Sequence, residues 1–190
     1  MGPLTNGVVV SIRRVYTFTA AAALVLFLTL SSPISAAADT TGITTATVTV
    51  IGGALSITVP TDAGSLGTRS NTVGGGTISG PLGQVQVNDA RSASAGSGWV
   101  ASAISTAFTP PAGAAIPAAA VGYTAGGITK VGTATFTADD PTNLTGVAPV
   151  VTATGITGDN SATWNPTIHV TVPGGMAAGV YSATITHSVV

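Results

Sequence analysis

The sequence predicts an all-β protein: an antiparallel β-sandwich, Ig-like or jelly-roll-like, of about 8–9 strands, preceded by a signal-peptide helix. Three observations point there. Short runs of β-branched residues alternate with polar ones at period 2, as in "QVQVN" (84–88) and "TIHVTV" (167–172). Gly and Pro punctuate the chain, with 25 and 11 copies. No segment after the leader carries a helical period.

The leader comes first. Arg13 and Arg14 form a basic n-region, "VYTFTAAAALVLFLTL" is uncharged, and Pro33 ends the run before Ala36 and Ala38. This is the secretory three-part pattern, with cleavage expected before Asp39. The apolar run falls just short of the ~17–25 residues that span a bilayer. "SIRRVYTF" fits general secretion better than twin-arginine export. The expected organisation is therefore a signal peptide over 1–38 and a single β-sandwich domain over 39–190.

Strands are expected at Ala46–Ile51, Leu55–Val59, near Thr77–Ser79, at Gln84–Asn88, Trp99–Ser105, Ile128–Ala138, Val147–Thr154, Thr167–Val172 and Val180–Val189. "DARSASAGSG" (89–98) reads as a turn or hairpin loop, and 155–166 as a connection. The Pro/Ala/Gly-rich stretch 108–127 reads as irregular but packed. In the last run Tyr181, Ala183, Ile185, His187 and Val189 share one face, which places His187 inward. A chain that stops in a strand is tied down if that strand pairs on both sides. Val180–Val189 is thus expected inside a sheet beside Thr167–Val172.

Composition limits the function. There is no Cys and no Glu, and only 6% of residues are charged. Residues 39–190 carry three basic and six acidic groups, which is no footprint for nucleic acid or an anionic membrane. No covalent lipid, hydrophobic tail or sorting signal is visible, so no membrane contact is expected once the signal is removed. A domain of this length does not need disulfides.

The groups that carry chemistry are few. His169 is expected to face solvent and His187 the core, and no nucleophile elbow accompanies either. Asp139, Asp140, Asn143, Asp159 and Asn160 are oxygen ligands of the kind calcium takes, but they match no EF-hand and suit turn starts. No metal, no cofactor and no catalytic residue is assigned. Trp99 and Trp164 either fill the core or, on a polar surface, stack on sugar rings.

Two stretches resemble a known family. "QVQVNDARSASAGSGWVASA" (84–103) resembles the segment of WxL domains where a strand and an Asp/Arg loop lead to Gly-Trp-x-Leu. "PGGMAAGVYSATITHSVV" (173–190) is similar to their C-terminal segment, with Gly179, Tyr181, Ile185 and Thr186 in the matching places. Ala101, His187 and Val189 stand where that family has Leu, Trp and Leu. The resemblance spans roughly 45–190 and is sharp in these two stretches. A composition with one Lys, no Glu and abundant Ala, Gly, Thr and Val points to a divergent, actinobacterial branch.

The resemblance implies a secreted protein of the cell wall or cell surface. It implies non-catalytic, non-covalent association with peptidoglycan or wall polysaccharide, possible alongside other surface proteins. The binding residues expected are Trp99, Trp164, Tyr181 and His187. The alternative is a structural or interaction subunit that self-associates or binds a partner surface protein. An enzyme, a hydrolase using His169 or His187, comes third.

Overall fold

The computed structural model describes residues 42–190; the expected signal peptide and cleavage site lie outside the described residues. Every strand described below lies in one compact unit, Val48–Val190.

Eight strands are present among the described residues: β1 (Leu55–Thr58), β2 (Gly76–Pro81), β3 (Val85–Ser105), β4 (Val121–Thr124), β5 (Thr129–Ala138), β6 (Ala148–Trp164), β7 (Thr167–Val172) and β8 (Ile185–Val189). They form two antiparallel sheets. Sheet A runs β1-β3-β6-β5, with β8 also on β3, and sheet B runs β2-β7-β4. Their inner faces share one core, from Val85, Val87, Ala101 and Val151 of sheet A to Val121, Tyr123, Ile168 and Val170 of sheet B. The all-β antiparallel sandwich expected from the sequence is what the chain forms.

Several elements differ from expectation. Residues 89–98 are not a hairpin loop, and 155–164 are not a connection. They belong to β3 and β6, of 21 and 17 residues, which pair from Val85–Trp164 to Ala103–Ala148 with interruptions. Polar and Gly-rich sequence hides this because the ladder there is repeatedly bulged, between Asp89 and Trp99. Gly158, at φ 71°, lies opposite Ala93 and supplies a backbone that side chains rarely adopt. Turn-forming residues thus build bulges rather than a turn.

Ala46–Ile51 pairs with nothing among the described residues, despite its alternation. The stretch 108–127 contains a 3₁₀ turn (Ala118–Ala120) and β4. The last strand is shorter than expected, Ile185–Val189. It lies in sheet A against β3, not beside β7, and pairs on that side alone. The alternation of burial nevertheless runs from Tyr181 to Val189. Ser182 exchanges two backbone hydrogen bonds with Thr109, and the Thr184 carbonyl accepts one from the Thr106 N–H, which accounts for the pattern without a full ladder.

Candidate functional site

The two tryptophans are core residues. Trp99 and Trp164 are each 2% exposed, so no ring face is open to a sugar, and the surface-stacking expectation is corrected for both. Large apolar rings bury where they can, provided the indole N–H finds an acceptor. Trp99 packs on Phe136 with centroids 5.7 Å apart, and its Nε1 donates to Asn160 Oδ1 at 2.9 Å. Asn160 Nδ2 in turn donates to Asp89 Oδ2 at 3.3 Å. Arg91 closes the chain with Nε and Nη2 on the two Asp89 oxygens at 2.8 and 2.9 Å. The Arg91 hydrogen bonds hold the Asp89 carboxyl below the usual carboxylate range. This network stitches the bulged part of β3 to β6.

Trp164 belongs to a second network. Its Nε1 donates to Tyr123 Oη at 2.8 Å. An indole can only donate, so the phenol keeps its own hydrogen for His187 Nε2, 3.3 Å away. Burial pushes the Tyr123 phenol above its ordinary range. It drives His187 down to about 4, so the imidazole is neutral at physiological pH. His187 is inward-facing, as expected, but it lines a groove rather than sitting deep in the core.

That groove, about 900 Å³, runs between β8, the segment 176–184 and the strap 59–75. Tyr181 and His187 both line it. Tyr181 Oη donates to the Ala177 carbonyl at 2.9 Å, which fixes the 177–181 turn. Of the four expected binding residues, the structure brings these two together and sends the two tryptophans inside.

A second cleft, of about 270 Å³, lies on the outer face of sheet B. His169 is among the residues that line it. It is half-buried rather than free in solvent, because both ring nitrogens have partners. Nδ1 meets Ser79 Oγ at 2.9 Å, and Nε2 meets Thr124 Oγ1 at 3.2 Å. The register explains this: Ser79 on β2 and Gly122 on β4 flank His169 across β7. Gly122 leaves the ring room, and the Thr142 carbonyl lies 3.3 Å from where its Cβ would be.

Asp140 is on the rim of this cleft. Its backbone is left-handed, φ 44°, directly before Pro141, where a residue favours extended backbone. One carboxylate oxygen accepts the Ala125 N–H at 2.8 Å, which holds the turn. Sequence alone gave no sign of this cleft beyond the turn-forming Asp-Asp-Pro, because Ser79, Thr124 and His169 come from three distant strands.

No protein-family model, no curated protein and no solved structure matches this chain.

The acids expected as possible calcium ligands are dispersed. Asp139 accepts from Thr152, Asp159 from the Ser92 N–H, and Asn143 from the Thr145 N–H. Among the described residues no three His, Cys, Asp or Glu side chains group as a metal site, and no helix is long and apolar enough to cross a membrane.

Proposed function

We propose that this chain is a secreted, non-catalytic cell-surface domain that associates non-covalently with the bacterial cell wall through the outer cleft of sheet B. The observation that carries this reading is Asp140, held in a left-handed backbone before Pro141 at the rim of a cleft lined by His169 and Thr124, which are hydrogen-bonded to each other. Strained residues persist where surrounding structure holds them, and they concentrate at functional sites.

The chemistry of the cleft suits a glycan or a stem peptide. Hydroxyls of Thr124, Thr142 and Thr171, an imidazole and one carboxylate line it, offering neutral donors and acceptors to sugar hydroxyls and peptide amides. The make-up of the cleft favours binding over turnover. Glycosidic cleavage commonly uses two carboxylates, and Asp140 is the one acid in the lining. The hydrogen bonds of His169 go to two hydroxyls, so no acid orients it as a base toward Ser79.

The test is sedimentation of the full chain with insoluble peptidoglycan, at low and high salt, beside a His169→Ala, Asp140→Ala variant. Salt-resistant pelleting that the variant loses is the expected result. Equal pelleting of both proteins, or none of the parent, overturns the reading.

A further inference from the structure

The groove beside β8 and the exposed segment Ala46–Ile51 are complementary. We propose that two copies of this chain associate by strand exchange, the Ala46–Ile51 segment of one copy adding as a strand to the free edge of β8 in the other and filling its groove.

The receiving side is a sheet one strand short. β8 pairs with β3 and with no other strand among the described residues, although β1 comes close to it, so its outer backbone groups make no ladder. On the opposite sheet, the inner face of β2 is covered by a strap rather than by a strand. A Cβ on Gly80 would lie 2.3 Å from the Leu66 carbonyl oxygen, so only glycine lets the strap lie this close. The strap makes no strand ladder, and between it and β8 lies the groove of about 900 Å³. Ile78, Phe108, Ile116, Val172, Ile185 and His187 are among its walls.

The donating side is in the same chain. Val48, Val50 and Ile51 are 90%, 85% and 87% exposed, a run of apolar side chains that soluble chains seldom leave uncovered. The segment reads A-T-V-T-V-I, uncharged and without proline. As a strand it puts Ala46, Val48 and Val50 on one face and Thr47, Thr49 and the terminal Ile51 on the other. β8 has the same division: Ile185, His187 and Val189 are half-buried, and Thr186 and Ser188 are exposed. A strand laid beside β8 in register would continue both faces, with apolar residues entering the groove and hydroxyls outside. Gly52 and Gly53 join the segment to β1; the Gly53 N–H donates to the Ala90 carbonyl and holds this end of the segment against β3.

The occupant is a second copy because this surface is uncharged and strand-like on both sides, which suits backbone pairing more than a charged ligand. Size agrees. Burying each large apolar side chain removes roughly 100 Å² from water. Reciprocal exchange, with two strands, two grooves and the added backbone, covers on the order of 1,200 Å², the lower limit for stable association. This inference uses neither the sheet B cleft nor wall binding, so either can fail alone.

The test is sedimentation velocity of the full chain from low micromolar to submillimolar concentration, with a Val48→Asp, Val50→Asp variant. The parent should form a reversible dimer. The variant should lose it by roughly a hundredfold or more in affinity, since charge would enter an apolar groove, while its thermal unfolding matches the parent's at concentrations low enough for both to be monomers, because both positions are exposed. The chain has no cysteine, so a second measurement is clean: mixing Val50→Cys and His187→Cys proteins under mild oxidation should give a disulfide-linked mixed dimer. A parent that stays monomeric throughout, a dimer that the double aspartate variant leaves intact, or no mixed disulfide overturns the proposal.

Discussion

The Trp164 indole and the His187 imidazole meet at one oxygen, the phenol of Tyr123, which accepts from the first at 2.8 Å and lies 3.3 Å from the second. Three residues from β6, β4 and β8 are thereby joined across the two sheets. The arrangement requires a neutral His187, because a protonated ring would present a donor to a phenol already turned toward it. The pH behaviour of the fold follows from this.

Stability should fall between about pH 6.5 and 4. His187 is driven down to about 4 in the folded chain by burial, while an unfolded histidine titrates near 6.5. In that window the unfolded state binds the extra proton, so stability is full above 6.5 and is lost as pH falls through the folded value. The effect is on the order of 2 kcal/mol once partial exposure is discounted. Urea unfolding at pH 7.5 and 4.5 checks it, and His187→Gln should flatten the difference. An unchanged difference in that variant would place the proton elsewhere.

Asp89 should be the most sensitive polar residue. It is fully buried and is held by Arg91 and Asn160. Asp89→Ala removes the acceptor of the buried Asn160 amide, while the exposed Arg91 guanidinium turns to water, and should cost about 1–3 kcal/mol. Arg91→Ala leaves the buried carboxylate with Asn160 alone and should cost a similar amount, about 1–3 kcal/mol. Since the Arg91 hydrogen bonds lower the Asp89 pKa, this contribution is present above about pH 4 and fades only below it. It is therefore separable from the His187 effect by pH. Chemical denaturation of each variant reads the loss.

Trp164→Ala should destabilise rather than weaken a binding surface. The ring is 2% exposed, and removing it leaves a cavity, with a loss of about 3–5 kcal/mol expected. Trp164→Phe keeps most of the volume and removes the N–H to Tyr123, for about 1 kcal/mol. Thermal unfolding of the two variants distinguishes the contributions. A Trp164→Ala protein of parental stability would contradict the placement.

Removing Ile185–Val190 should abolish cooperative unfolding. These residues form β8 and the Val190–Val100 hydrogen bonds, and they bring His187 to Tyr123. Far-UV and near-UV circular dichroism of the truncated chain should show no sharp transition. A soluble truncation with a sharp transition would mean that β3 and β6 carry the sandwich alone.

The sandwich itself was legible because most strands carry unbroken alternation: Thr167–Val172 and Thr129–Ala138 match their predicted runs closely. Alternation in Tyr181–Val189 also placed His187 inward. Pairing was harder to read. Nothing local says that Ile185–Val189 joins Ala101–Ser105 rather than β7, since the choice depends on contacts between distant residues. Asp89–Gly98 misled for a physical reason: Gly and Ser serve bulges as well as turns, and only the partner strand decides which. The cleft around His169 was illegible because its hydrogen-bonding partners, Ser79 and Thr124, are separated from it by 90 and 45 residues.

The placement of β1 and β8 has a kinetic consequence. Both lie on β3, yet β1 begins at Leu55 and β8 ends at Val189. Completing β3 therefore requires strands that lie far apart along the chain to meet on it, and the long loops that must be closed to bring them there make folding slow.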